Sequence, residues 1–591
     1  MDWLPTTRKE MNDRGWDKAD VILFSGDAYV DHPSFGVAVI GRVLEAEGLR
    51  VAIVPQPDWH GDLRDFRRLG RPRLFFGISP GAMDSMVNKY TAARRMRHED
   101  AYSPDGRHGM RPDYPTIVYT QTLKRLYPDS IVIAGGIEAS LRRVAHYDYW
   151  QERIMPSILI PSGADAITYG MGEKATREIV KRLMDALDSY DETLGYDEDG
   201  EAYCTSMTYR RICLDVPQTV YLADGDKMPT GKGVIRLHSY EECLREPRLH
   251  AENFRHVEEE SNRMEANTLV QDRVVVNAPY PPMTTAEIDT SFDLPYTRMP
   301  HPKYKGKRIP AYEMIRHSVT LHRGCFGGCA FCTISAHQGK FIASRSKESI
   351  MREVRQLVRM PDFRGTITDL GGPSANMYMM GGRNTKACHG CVRPSCIYPA
   401  VCPNLNGDHA PLNDIYEQVS AMKEVKHCTI GSGVRYDMLL HDWHDERLNA
   451  EARRYTHNLI TRHVSGRLKV APEHTEDHVL MLMRKPSFTL FHRFKQVFDS
   501  ECRKAGLRQQ IIPYFISSHP GCEERDMAAL SRQTQSMHLM TEQVQDFTPT
   551  PLTLSTTIFC TGYHPYTMER VFCEHNPEKK KRQKAYFNGT V

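Results

Sequence analysis

Three cysteines, Cys325, Cys329 and Cys332, stand in the run Arg323-Gly324-Cys325-Phe326-Gly327-Gly328-Cys329-Ala330-Phe331-Cys332. Intervals of three and then two residues let one short loop wrap three thiolates around a compact metal core. Thiolates are the usual ligands of iron–sulfur clusters. Gly324, Gly327 and Gly328 permit close backbone approach and unusual φ angles. On a four-iron cluster three thiolates leave one iron without a protein ligand, and an open iron can chelate a small molecule. A zinc loop completed by His322 or His337 is the alternative. Structural zinc is four-coordinate and favours Cys-x2-Cys pairs, a pattern that this spacing does not follow.

A second run places Cys388, Cys391, Cys396 and Cys402 within fifteen residues. Four thiolates could hold structural zinc or a closed auxiliary cluster, and spacing alone separates neither of these from a loop that binds nothing. Pro394, Pro399 and Pro403 stiffen the segment and exclude helix. Seven of the 15 cysteines thus fall between Cys325 and Cys402. The other eight are scattered and read as small buried apolar residues. An odd number in a long chain, with no apolar signal core in the first ten residues, argues against a disulfide framework.

The elements around these loops alternate in type. Short apolar runs at 20–25, 51–54, 74–78, 131–136 and 166–169 read as strands, with helical patterns at 37–47 and from Glu173 to about residue 187. Alternation implies a mostly parallel sheet covered by helices. Residues 1–205 are therefore expected to form an open parallel α/β domain. Residues 206–306 read as a connecting region with a long charged helix at 240–265 and an extended proline-rich segment. From 307 to 575 strands are expected at 318–321, 366–370, 428–430, 468–470, 511–515 and 552–554. Ser346 is placed to cap a helix whose Ile350, Val354, Leu357 and Val358 share one face. A partial or complete parallel (β/α) barrel fits, with the cysteine loop at the C-terminal end of its first strand, where such barrels carry their sites. The cysteine-rich segment at 386–403 is an insertion in it, and 576–591 is a basic, flexible tail.

Composition sets limits. Charged residues are 26% and hydrophobic ones 40%, and the net charge is +3, which argues against a wholesale electrostatic nucleic-acid binder. No apolar run approaches the ~18 residues of a membrane helix. A cytoplasmic protein without membrane insertion is expected.

The first cysteine loop resembles the Cys-x3-Cys-x2-Cys signature of the radical S-adenosylmethionine (SAM) superfamily, with Phe331 at its usual aromatic position. Longer stretches are similar to the YgiQ-type radical SAM family: Pro295 through Pro302, Lys305 through Glu313, Gly324 through Ser349, Asp369 through Met377, Val470 through His474 and Val544 through Pro549. The resemblance spans most of residues 1–575. It implies a cobalamin-binding-like N-terminal α/β domain followed by a radical SAM partial (β/α) barrel. It also implies a 4Fe-4S cluster on Cys325, Cys329 and Cys332, S-adenosylmethionine on the open iron, and a small electron donor protein of flavodoxin or ferredoxin type. The chemistry implied is reductive cleavage of the cofactor to a 5′-deoxyadenosyl radical that removes hydrogen from substrate. Phe331, Gly371 and Gly372 are the implied cofactor-binding residues. Where family members carry Gly-Gly-Glu, this chain reads Gly371-Gly372-Pro373. The contact of the missing carboxylate must then be made by backbone or by a neighbour such as Ser374 or Asn376; Glu473, at another strand end, could face the cofactor or be a solvated surface carboxylate.

Two further readings stand beside this one: a radical SAM enzyme that modifies RNA, and an iron–sulfur or zinc protein without catalysis. The run Lys579-Lys580-Lys581-Arg582-Gln583-Lys584 could touch RNA phosphates, although a solvated tail is the plainer reading. A cobalamin loop of D-x-H-x-x-G type is not matched, because Pro33 occupies the ligand position after Asp31-His32. Those two residues could instead cap the next helix.

Overall fold

The computed structural model describes residues 2–541 and 543–587. The chain forms two compact units. The first comprises Met1–Glu246, Glu265–Pro281 and Thr290–Arg316; the second comprises Pro247–Met264, Pro282–Asp289 and His317–Val591.

The first unit is built on one nine-stranded sheet. Its strands are β1 (Val21–Ser25), β2 (Val51–Pro55), β3 (Phe75–Ser79), β4 (Ile131–Ala134), β5 (Ala166–Thr168), β6 (Thr219–Leu222), β7 (Val234–Arg236), β8 (Thr268–Gln271) and β9 (Val274–Val276). The order is β7-β8-β9-β6-β5-β4-β3-β1-β2. From β2 to β5 all pairings are parallel, as the strand–helix alternation requires. The strands are apolar throughout because helices cover both faces; β1 and β2 are buried at every position. From β5 onward the sheet becomes mixed, with β6 antiparallel to both β5 and β9. The connecting region expected at 206–306 therefore contributes four strands to this sheet, while Pro247–Met264 and Pro282–Asp289 belong to the second unit. The long helix expected there breaks at Pro247, which cannot continue a helix, into Tyr240–Arg245 and Pro247–Ser261.

The order β2-β1-β3-β4 reverses direction between β1 and β3, the place where open α/β sheets form a ligand crevice. Here that place is filled by the chain's own charges. Arg111, 2% exposed, donates to Asp27 (3.0 Å), to Asp100 (2.7 Å) and to the Pro80 carbonyl (3.2 Å). Burial pushes the Asp27 carboxyl up to about 6, against the pull of Arg111. Asp31 and His32 do not cap the following helix, whose N-cap is Phe35 with no side-chain bond. Asp31 instead takes two bonds from Arg42 on that helix (3.0 and 2.6 Å), and His32 accepts from the Ser34 N–H (3.1 Å).

In the second unit six short segments run parallel: β10 (Ser318–Thr320), the bent pair β11 (Thr366–Ile367) and β12 (Asp369–Gly371), β13 (His427–Cys428), β14 (Arg467–Glu473), β15 (Gln510–Ser517) and β16 (Gln543–Asp546). Parallel ladders join β10 to β12, β11 to β13, and β14 to β15 to β16. Among the described residues no ladder joins β16 back to β10, so the barrel is partial. Its outer helices bury one apolar stripe each. Ser346 caps Lys347–Leu357, accepting from the Ser349 N–H (3.1 Å), and Ile350, Val354 and Leu357 are fully buried. Phe488, Phe491, Phe494 and Phe498 line one face of Phe488–Lys504. Each such burial is worth about 2–3 kcal/mol of transfer free energy.

Two expectations change here. The apolar triplet 552–554 is not a strand. Thr553 accepts from the Thr556 N–H (3.3 Å) and caps the helix Leu554–Thr561; β16 takes the sixth strand place. The basic run is not a flexible tail, since Pro577–Ala585 is helical. Gln583, 1% exposed, accepts from the Ser518 N–H (2.9 Å). Residues 588–591 of the expected tail lie outside the described residues.

Removing Arg111 leaves two buried carboxylates unpaired. Arg111→Met is expected to cost about 3–5 kcal/mol in chemical denaturation, whereas Arg211→Met, at an exposed pair with Glu192, should cost under about 1 kcal/mol. Asp27 adds a pH signature. Its folded pKa of about 6 lies above the ordinary carboxylate value. The folded state therefore binds the extra proton, and this group's contribution to stability falls as pH rises from about 4 to about 6. Denaturation of Asp27→Asn across that window should show the variant gaining on the natural protein as pH rises.

Candidate active site

The C-terminal ends of the second unit's strands share one rim, and the first cysteine loop lies on it. After β10 the chain forms a two-residue strand, His322–Arg323, whose antiparallel partner Ala343–Ser344 follows the loop and closes it at its base. Hydrogen bonds pin the loop along its length. The Cys325 N–H donates to Gly339 (3.1 Å), Ala330 N–H to Met483 (3.0 Å), and Ser555 N–H to the Ala330 carbonyl (3.0 Å). Two bonds turn the loop on itself: Gly327 N–H to Cys325 Sγ (3.4 Å) and Cys332 N–H to Cys329 O (3.1 Å). Burial, and then the charge of neighbouring Cys329, pushes the Cys325 thiol up to about 11 and the Cys332 thiol up to about 12. At neutral pH these groups are protonated until a metal displaces the proton.

One of the two fourth-ligand candidates of a zinc site, His322, is committed elsewhere. His322 is fully buried, its Nε2 lies 2.9 Å from the Ser374 carbonyl, and burial holds its pKa down at about 4. Tetrahedral zinc at 2.3 Å from each sulfur needs sulfurs about 3.8 Å apart. Among the described residues the trio of Cys, His, Asp or Glu donor atoms that lies within 4.8 Å of one another is Glu476, His478 and Asp526. At least one pair of the three loop sulfurs therefore lies beyond 4.8 Å. Three soft thiolate donors are of the type that holds iron–sulfur clusters.

Above the loop sits Arg435, which the sequence reading did not single out. Its Nη1 lies 3.6 Å from Cys329 Sγ. Its fork is fixed by two bonds to Asp437 (3.0 and 2.6 Å). Burial pushes the Asp437 carboxyl up, but the Arg435 guanidinium outweighs it and holds the group below its ordinary value. Asn376, fully buried, clasps the Arg435 backbone from both sides, accepting from its N–H (2.8 Å) and donating to its carbonyl (3.1 Å). That amide is committed to the loop after β13 and is not free to replace the missing carboxylate of the Gly-Gly-Pro strand end.

Gly371 and Gly372 close β12. The Gly371 carbonyl accepts from Leu321 N–H (2.7 Å). A side chain at Gly372 would begin 2.6 Å from the His322 ring, so on its Cβ side this glycine makes room for a histidine. Phe331 is partly buried and meets the His519 ring edge-on, with centroids 6.2 Å apart. Glu473 ends β14 at φ +70°, in the left-handed region that a glutamate adopts only under constraint. It is 7% exposed, and its nearest cation is Lys485 at 3.9 Å. Burial raises its pKa, opposed by Lys485 and Arg435. A cavity of about 30 Å³ beside Cys329 and Cys332 is lined further by Glu258, Asn262 and Thr553. Glu258 receives two bonds from Arg484 (2.7 and 2.9 Å) and one from the Tyr566 hydroxyl (2.6 Å).

A family model described as Radical SAM N-terminal matches residues 3–318, just over half of the chain. A UPF0313 protein of Bacteroides thetaiotaomicron is 60% identical over 590 residues, covering 99% of this chain and 94% of that protein. The UPF0313 protein YgiQ of Escherichia coli is 43% identical over 625 residues, covering 99% of this chain and 83% of that protein. Among solved structures, the radical S-adenosylmethionine methyltransferase TsrM of Kitasatospora setae, with cobalamin and a 4Fe-4S cluster bound, is similar at 13% identity. That match covers 89% of this chain and 74% of TsrM at a TM-score of 0.44, too remote a likeness to transfer ligands or residues. The chain belongs to the UPF0313, YgiQ-type family of radical SAM proteins, a class whose cofactors are a 4Fe-4S cluster and S-adenosylmethionine.

Proposed function

We propose that the chain is a radical SAM enzyme whose cluster is held by Cys325, Cys329 and Cys332, with S-adenosylmethionine bound between that loop and the ends of β12, β13 and β14. The observation that carries this reading is the set of three half-buried cysteines on one loop, at least one pair of their sulfurs lying beyond 4.8 Å, with the Arg435 guanidinium 3.6 Å from one of them. With its cofactors bound, the chemistry supplied is one-electron reductive cleavage of the sulfonium bond to methionine and a 5′-deoxyadenosyl radical that removes a hydrogen atom from substrate.

The chain's own groups bind, orient and exclude. To hold the cluster, each raised thiol would have to give up its proton. Arg435 offsets the negative charge gathered at the sulfurs, and Asp437 holds its planar fork in one orientation. Glu473 is the buried carboxylate on the rim that can receive a cationic amino group, the role left open by Pro373. Phe331 offers an apolar ring beside the loop. Gly371 and Gly372 keep the β12 end free of side chains, with Gly372 backed by His322. The packed rim keeps water from a reactive species. The electron is supplied by a small donor protein of flavodoxin or ferredoxin type.

The reading is tested by chromatography of reduced, iron-loaded protein incubated with S-adenosylmethionine. The natural protein should form 5′-deoxyadenosine slowly and Cys325→Ala/Cys329→Ala/Cys332→Ala none. Absence of product at full iron content, even with cell extract supplied as substrate, would contradict the proposal. Arg435 gives an independent check. Arg435→Met strands a buried Asp437 and is expected to cost about 3–5 kcal/mol of stability. Replacing both residues, as Arg435→Met/Asp437→Leu, should restore much of the fold while iron retention at the first loop stays reduced, as read by the metal content of folded protein. Full retention in that double variant would show that Arg435 serves the fold alone.

A further inference from the structure

The second cysteine run lies in a long excursion between β12 and the helix Ala410–Ser420. Its neck is closed by the Gly382–Leu405 bridge and by the Arg383 N–H bond to Asn404 (2.8 Å). Beyond the neck there is a single short helix, Thr385–His389. Loops of this length with so little regular structure are either functional or disordered, so an ordered one needs an internal staple.

The four half-buried cysteines are tied together in pairs inside it. The Cys402 N–H donates to Cys396 O (2.8 Å) and Cys391 N–H to Cys388 O (3.2 Å). At the Cys388 sulfur, Asn404 Nδ2 donates from 3.4 Å, and a Cβ on Gly382 would stand 2.3 Å away. At the Cys391 sulfur stands Lys340. This lysine is 2% exposed, its Nζ lies 3.7 Å from Cys391 Sγ and 2.8 Å from the Arg393 carbonyl, and among the described residues no carboxylate pairs with it. A buried ammonium without a counter-charge is costly. Thiolates on a metal would supply the missing negative charge. No three of the four sulfurs lie mutually within 4.8 Å, whereas zinc needs about 3.8 Å between every pair. As at the first loop, at least one sulfur pair in every trio exceeds the spacing a single zinc ion requires.

We propose that Cys388, Cys391, Cys396 and Cys402 ligate a second iron–sulfur cluster, a 4Fe-4S cubane with a protein thiolate on every iron. It offers no open position, so it binds no S-adenosylmethionine. It also braces the first loop: Cys396 N–H donates to Phe326 O (3.0 Å), as does Ser395 Oγ (3.2 Å), and at Gly328 (φ +61°) a Cβ would lie 2.3 Å from the Pro394 carbonyl. Lys340 tunes the cluster through its bond to Cys391, because hydrogen bonds to the sulfurs set the potential.

The assignment does not rest on catalysis by the first loop and is tested apart from it. Full-length Cys325→Ala/Cys329→Ala/Cys332→Ala is reconstituted anaerobically with an iron salt and inorganic sulfide, then assayed for iron, sulfide and zinc. The expected result is about four irons and four sulfides per folded chain. Adding Cys388→Ala and Cys396→Ala should abolish them, with folding followed by circular dichroism. Lys340→Met in the triple-alanine background should retain the iron but lower the midpoint potential in a redox titration. Zinc in place of iron and sulfide, or no metal on folded protein, would overturn the proposal. Should the triple variant fail to fold, the natural protein decides: about eight irons per chain supports the assignment and about four overturns it.

Discussion

Negative charge has to be gathered at one buried place without driving the chain apart, and that constraint shapes the second unit's rim. Thiols pushed up to about 11 and 12 by burial are poor ligands until a metal takes their protons. Once ionised they need a fixed cation nearby. Arg435 supplies it, and almost everything around Arg435 keeps it in place. Asp437 holds the fork and Asn376 holds the backbone. A bond from Ala375 N–H to Gly433 O (2.8 Å) ties the β12 and β13 loops together. The same logic recurs at the second cysteine run with Lys340, and at the first unit's sheet reversal, where Arg111 joins two aspartates.

The two units handle buried charge differently. In the first, the crevice between β1 and β3 is closed by paired side chains, leaving that position satisfied by the protein alone. In the second, Arg345 and Arg484 are likewise paired with Glu353 and Glu258, but two further cations, Arg435 and Lys340, face sulfurs. Arg435 has a carboxylate partner as well, while Lys340 has a carbonyl, a thiol and the Phe341 ring, whose centroid lies 4.9 Å from its Nζ. A satisfied network is a structural device; an ammonium aimed at a thiol asks for something more electronegative than the chain alone provides. No helix of the described residues is long and apolar enough to cross a membrane.

What the sequence made legible was local. The Cys-x3-Cys-x2-Cys loop, the apolar strands β1 to β5 and β10 to β15, and the Ser346 cap all announce themselves within a few neighbouring residues. The failures had physical causes. Strands β6 to β9 are three or four residues long, too short to show a period; β6 and β7 pair with strands far away in sequence, while β8 and β9 form a hairpin across Asp272-Arg273. Thr553 reads as the centre of an apolar triplet until its hydroxyl is seen to cap a helix. The charged helix at Pro577–Ala585 is held by one buried glutamine, Gln583, and by Asn576 at its start. Arg435 was invisible for a different reason. It is one of 77 lysines and arginines, and only the register of β13 beside β11 brings its guanidinium to Cys329. The Gly431-Ser432-Gly433 run after a strand was the available hint.

The central claim is that the cluster on Cys325, Cys329 and Cys332 has an iron left open for S-adenosylmethionine. Electron paramagnetic resonance of the reduced protein, recorded with and without S-adenosylmethionine, tests it most directly. The account predicts that the cofactor alters the signal belonging to the first loop. It also predicts that any signal remaining after Cys325→Ala/Cys329→Ala/Cys332→Ala does not respond. Identical spectra with and without cofactor, in natural protein carrying its full iron, would contradict it.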